Sequence, residues 1–270
     1  MKMEIKKFMK TDGEKPLDNI VSNGGFCGIF RTIACIGDSL SSGEFEGFMN
    51  GQATFHDMYE YSWGQYIARD AGITVKNFSR GGMSAKNYCE SFARDNGFWK
   101  PELAAQGYII ALGVNDISQC VRGEYEFGSI DDVDFSDWAK NKPTFAGYYA
   151  EIIARYKEIQ PKAKFFLMTL PNQDVGEDRK AFTEAHYKLM YDLAEKFDNC
   201  YVLDLRQYGP KYDDEFRNAF YMSGHLNAAG YRLTALMVES YIDYIIRNNP
   251  DDFRQIGFVG TPFHNARCKW

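Results

Sequence analysis

Ile33-Ala34-Cys35-Ile36-Gly37-Asp38-Ser39-Leu40-Ser41-Ser42-Gly43-Glu44 begins as an apolar run of buried-strand length and breaks at Gly-Asp-Ser into small polar residues. A strand that stops this way delivers a hydroxyl to the edge of a sheet. Ser39 is therefore the candidate nucleophile. A serine hydroxyl reacts only with a base beside it and donors facing the oxyanion it creates, so the remaining parts have to be found elsewhere in the chain.

Further apolar runs repeat the pattern. Ile73-Thr74-Val75-Lys76-Asn77-Phe78 ends in Ser79-Arg80-Gly81-Gly82, and Tyr108-Ile109-Ile110-Ala111-Leu112 ends in Gly113-Val114-Asn115-Asp116. Strands are also expected at residues 163–170 and 201–205, and helices at 62–70, 145–160, 179–197 and 228–246. About five continuous apolar strands alternating with helices imply an α/β fold with a parallel sheet covered on both faces. In such a sheet the turns at Ser39, Gly82 and Asn115 share one edge. The N–H groups of Ser39 and Gly82 and the side-chain amide of Asn115 are the expected oxyanion donors.

Of the four histidines, His225 is the best base. It precedes the last amphipathic helix, in an expected loop at a helix N-terminus, where the dipole disfavours the imidazolium. His56, in the polar stretch after Ser39, is the secondary candidate; His186 and His264 are expected to pack or lie on the surface. Aromatic residues after the nucleophile (Phe45, Phe48, Phe55, Tyr59, Tyr61, Trp63) serve either as core or as a sugar-stacking wall. The acidic, aromatic segment 119–142 is either a lid over the site or a solvated loop.

Composition sets outer limits. The chain has 270 residues, 45% of them hydrophobic and 25% charged, with a net charge of −6. This describes one globular domain at residues 31–249, with an N-terminal extension (1–30) and a C-terminal extension (250–270) docked on it. A basic face for nucleic acid is not indicated. The six cysteines form no C-x-x-C pair and are expected as free thiols in a reducing, cytoplasmic setting. No signal-peptide core or run of ~18 apolar residues marks the chain for a membrane.

The four positions together resemble the SGNH, or GDSL-type, hydrolases. The first block matches as Gly37-Asp38-Ser39-Leu40, the second as Asn77 with Gly82, the third as Gly113-Val114-Asn115-Asp116, and the last as His225 followed by Gly230. The resemblance spans residues 31–246. It implies a three-layer α/β/α sandwich of flavodoxin-like type and esterase or lipase activity without metal or cofactor. Ser39 would be nucleophile and first oxyanion donor, His225 the base, and Asp38, Gly113 and Asp116 supports. Ser41 two residues after Ser39 excludes the G-x-S-x-G elbow of the α/β-hydrolases.

One position departs from the family. An aspartate three residues before the histidine usually orients the imidazole, and this chain has Met222 there. The expectation is a Ser39–His225 dyad supported by a backbone carbonyl, with Asp213, Asp214 or Glu215 as substitute acids. The short polar loop after Ser39 favours a small acyl group, such as acetyl on a carbohydrate. The alternatives are a thioesterase or lysophospholipase on longer chains, acyl transfer to a sugar hydroxyl, or a non-catalytic carbohydrate-binding relative.

Overall fold

A computed structural model describes residues 10–268 and 270; residues 1–9 of the expected N-terminal extension lie outside the described residues. Five parallel strands form the central sheet: β1 (Thr32–Gly37), β4 (Thr74–Ser79), β5 (Gly107–Ala111), β6 (Lys164–Met168) and β7 (Cys200–Leu203), in the order β4-β1-β5-β6-β7. Two strands absent from the expected set, β2 (Glu44–Met49) and β3 (Gln52–Asp57), form an antiparallel hairpin outside it. A smaller hairpin pairs β8 (Tyr221–Met222) with β9 (His225–Leu226).

Strand side chains alternate between two cores. Ala34, Ile36, Tyr108, Ile110, Phe165 and Leu167 enter one, beneath the helices α3 (Val114–Val121), α4 (Phe145–Ile159) and α5 (Glu177–Lys196). Ile33, Cys35, Ile109 and Phe166 enter the other, beneath α2 (Trp63–Ala71) and the last helix, α7 (Ala228–Asn248). Both faces are thus covered, which is why these strands read as unbroken apolar runs. The layers are helix, sheet and helix, as expected.

Helix starts follow local side-chain chemistry. Ser62, Thr144 and Asn227 each accept a hydrogen bond from a backbone N–H of the first turn, at α2, α4 and α7 respectively. The C-terminal segment contributes Phe253, Ile256 and Val259 to the second core, while Phe263 stays exposed. Segment 119–142 is anchored, with Phe127 buried against Phe145 and the Tyr125 hydroxyl bonded to Asp116. All six cysteines are free. Among the described residues no helix is long and apolar enough to cross a membrane.

The sheet's order reverses at β1, whose neighbours β4 and β5 follow it in the chain on opposite sides. The crevice beyond the carboxyl ends at such a reversal is where ligands bind in open α/β sheets. Gly37, the last residue of β1, pairs with Ser79 on one side and Ala111 on the other. Three loop starts therefore stand side by side.

Candidate active site

Gly37 leaves no room for a Cβ, because the Ser41 side chain fills that space. The chain turns there into a single helical turn, α1 (Ser39–Ser42), capped by Asp38, whose carboxylate accepts the Leu40 N–H at 3.0 Å. Ser39 is thereby presented, half-buried, at the sheet's edge. Asp38 itself is buried. Desolvation, with the charges of Asp116 and Glu44 adding, pushes its carboxyl up to about 7.

The second turn is tied to the first by the Arg80 N–H, which donates to the Gly37 carbonyl at 3.4 Å. Gly82 sits at φ +71°, exposed, in a left-handed conformation that suits glycine. The third turn meets it where Asn115 Nδ2 donates to the Met83 carbonyl at 3.0 Å. Among the described residues, the N–H groups of Ser39 and Gly82 have no hydrogen-bond acceptor. The three expected donors are therefore brought together, two of them unengaged.

Supports lie behind this edge. Asp116 is fully buried, accepting the Ala85 N–H at 2.8 Å and the Tyr125 hydroxyl at 2.5 Å; burial pushes its carboxyl up to about 6. Gly113, at φ +143°, has the ring of His186 where a Cβ would stand, 2.5 Å away. His186 is a core residue bonded through Nε2 to the Leu112 carbonyl at 2.9 Å, and burial lowers its imidazole to about 4. His56 faces outward from β3, bonded to Thr54 Oγ1 at 3.0 Å.

His225 differs from expectation in its setting. It belongs to the two-residue strand β9 rather than to a loop at the helix start, and the Ser223-Gly224 turn delivers it. The small hairpin puts Met222 across from it, with a partly exposed thioether. Among the described residues, no backbone carbonyl bonds Nδ1. Asp213 is occupied in capping the helix α6 (Asp214–Phe220), and neither Asp214 nor Glu215 reaches the imidazole. The partner at Nδ1 is Glu46 of β2, with Oε2 at 3.2 Å, and the same oxygen accepts the Gly224 N–H at 2.7 Å.

The other nitrogen has a carboxylate as well. Glu44 Oε1 stands 3.1 Å from His225 Nε2, and the Glu44 carboxylate fills the space a Cβ on Gly81 would need. Among the described residues, no hydrogen bond joins the Ser39 hydroxyl to His225. Tyr231 of α7 binds the two sides together, its hydroxyl donating to the Glu44 carbonyl at 2.6 Å and reaching the Ser39 carbonyl at 3.5 Å. Glu46 escaped the sequence reading because 179 residues separate it from His225. The available signal was Asn50-Gly51 between alternating polar and apolar residues, a strong hairpin mark that places Glu44 and Glu46 on one face.

A cavity of about 260 Å³ adjoins the site at the ends of β1, β5 and β6, lined by Leu40, Val114, Leu170, Arg217 and Tyr221 among others. A larger one, about 890 Å³, lies between residues 11–26 and α7 and holds none of the candidate residues. Chemistry, not cavity size, locates the site. Of the six aromatic residues after the nucleophile, Trp63 is core and Phe45 packs on Tyr61 and Tyr231, whereas Phe48, Phe55 and Tyr61 keep substantial exposure.

Solved structures with this architecture include a family two carbohydrate esterase from Clostridium thermocellum, in complex with cellohexaose. It is 17% identical with a TM-score of 0.54, over 90% of this chain and 67% of that one. A putative GDSL-like lipase from Parabacteroides merdae is 16% identical with a TM-score of 0.53, over 78% and 95% of the two chains. The acetyl xylan esterase AlAXEase is 17% identical with a TM-score of 0.50, over 78% and 99%. Such identities speak to the fold alone. No significant match is found among curated proteins. The GDSL-like Lipase/Acylhydrolase family model matches residues 35–233, a span that holds Ser39, Gly82, Asn115 and His225, and the chain belongs to that family.

Proposed function

We propose that the protein is a serine ester hydrolase that removes a small acyl group, acetyl in the first instance, from a carbohydrate hydroxyl. The observation that carries this reading is the meeting of Ser39, Gly82 and Asn115 at three adjacent loop starts, with the Ser39 and Gly82 N–H groups unengaged and His225 held on a hairpin nearby. The carbohydrate esterases among the structural neighbours support the choice of substrate class.

The chemistry divides into two steps. His225 Nε2 takes the Ser39 proton as Oγ bonds to the ester carbonyl carbon. The oxyanion rests on the Ser39 and Gly82 N–H groups and the Asn115 amide. As the carbon–oxygen bond to the alcohol breaks, the leaving oxygen takes the proton from His225. Water then attacks the acyl-enzyme with His225 again as base, releasing the acid and restoring Ser39. Both steps require Nε2 to leave Glu44 for the reacting oxygen.

The test is fluorophosphonate labelling together with hydrolysis of p-nitrophenyl acetate and acetylated oligosaccharides. Ser39→Ala is expected to abolish labelling and to remove on the order of 10³-fold or more of the turnover. Hydrolysis that survives Ser39→Ala refutes the assignment. A p-nitrophenyl ester series from acetate to palmitate checks the acyl group, and a rate that rises with chain length refutes the small-acyl reading.

A further inference from the structure

We infer that Glu46 is the positioning carboxylate of the base, so that the acid holding His225 Nδ1 arrives on the β2–β3 hairpin that follows the nucleophile and not from the loop that carries the histidine. This rests on the ester-hydrolase reading above. It assigns to an otherwise unremarked strand the task the resemblance gives to residue 222, where Met222 cannot accept a hydrogen bond of useful strength.

The geometry is specific to one nitrogen. Glu46 Oε2 lies 3.2 Å from Nδ1 and 2.7 Å from the Gly224 N–H, so a single oxygen fixes both the imidazole and the turn that presents it. The side chains of Glu46 and His225 are 15% and 16% exposed, which keeps most competing water away. In the hairpin register Glu46 pairs with Phe55, and the Phe55 ring meets the imidazole edge-on, with centroids 5.6 Å apart. One cross-strand pair therefore grips the ring by an edge and a face.

Glu44 and Glu46 share a strand face but differ in character. The Gly224 N–H, then Ser223 and His225, hold the Glu46 carboxyl below the usual range and so favour its anion. Burial pushes Glu44 the other way. An anion at Nδ1 selects the tautomer whose Nε2 lone pair faces the reacting oxygen, and it stabilises the imidazolium formed in each step. Glu44 stands at the nitrogen that must be vacated and cannot fill that role. The charged groups facing His225 are Glu44 and Glu46, and Asp57 and Asp38 in turn interact with Glu44.

The experiment compares wild type with Glu46→Gln, Glu46→Ala and Glu46→Asp on p-nitrophenyl acetate across pH 5–9, with Ser39→Ala as the catalytic control. Replacing the acid of a serine triad by its amide costs on the order of 10⁴-fold. Glu46→Gln is expected to lower kcat by ~10²–10⁴-fold with little change in KM, and to move the acidic limb of kcat/KM to lower pH. Glu46→Asp is expected to restore part of kcat. The Nδ1-bound proton of His225, followed by NMR in the full-length protein, is expected to lose its far-downfield resonance in Glu46→Ala, a readout independent of turnover. A kcat loss below about tenfold in Glu46→Gln, an unmoved acidic limb, or an unchanged proton resonance in folded Glu46→Ala overturns the role of Glu46 alone. Wild-type protein without Ser39-dependent hydrolysis overturns the functional reading, and this assignment with it.

Discussion

Replacing Asp38 by asparagine should make the protein more stable at alkaline pH while leaving it unchanged in acid. Asp38 is 4% exposed, and its carboxyl is raised from 3.8 to about 7 by burial first, with Asp116 and Glu44 adding. A carboxyl whose folded pKa is raised contributes stability that is fully present below its unfolded value, near pH 4. That stability is lost as pH rises through about 7, where the folded state must carry a buried anion. At about 1.4 kcal/mol per unit, the loss between pH 4.5 and pH 8.5 comes to about 3 kcal/mol. Asparagine keeps the oxygen that accepts the Leu40 N–H and cannot ionise. Urea unfolding of both proteins at the two pH values measures this, because titrating groups not coupled to Asp38 cancel in the difference and only Asp116 and Glu44 respond to its charge. The stability advantage of Asp38→Asn should therefore grow by about 3 kcal/mol between pH 4.5, where it is about 1 kcal/mol, and pH 8.5. Parallel curves at both pH values would refute the claim that Asp38 carries a buried, pH-dependent cost.

Gly113→Ala should lower stability by about 2–4 kcal/mol, about 10 °C in Tm. The new methyl would meet the His186 ring at 2.5 Å, and that ring is fixed by its bond to Leu112. A thermal melt within about 2 °C of wild type would show that the ring yields freely. Glu44→Gln removes the carboxylate that competes for His225 Nε2 and should raise kcat by about two- to fivefold, read from steady-state rates on p-nitrophenyl acetate. A loss comparable to that of Glu46→Gln would show that Glu44 supports the base instead of competing for it.

The sheet was legible because both its faces are covered, which makes β1, β5 and β6 continuous apolar runs whose ends mark themselves with glycine and polar residues. Ser39, Gly82 and Asn115 follow from that reading, since adjacent parallel strands align their carboxyl ends. The stretch β2–β3 reads as a polar loop because it holds Glu44, Glu46, His56 and Asp57 and no continuous apolar run, although its residues alternate. Yet Asn50 and Gly51 both have positive φ, the turn an Asn-Gly pair prefers. What no local pattern contains is the contact of Glu46 with His225. It depends on how a ribbon outside the sheet folds back over the far end of the chain.

The ribbon that holds the imidazole is fastened at its base and along the face that carries Glu44 and Glu46, and is free at its tip. Ser42 bonds Asp57 at its base at 2.7 Å and Phe45 packs on Tyr61 and Tyr231, while Phe48 and Met49 at its tip stand largely in solvent. Local opening free energies in a protein range from near zero up to the global value, and a two-stranded ribbon with an exposed tip belongs near the low end. On the proposed mechanism, activity would be limited by local opening of this ribbon and not by the two cores, so His225 can lose its contact with Glu46 while every strand of the sheet stays paired.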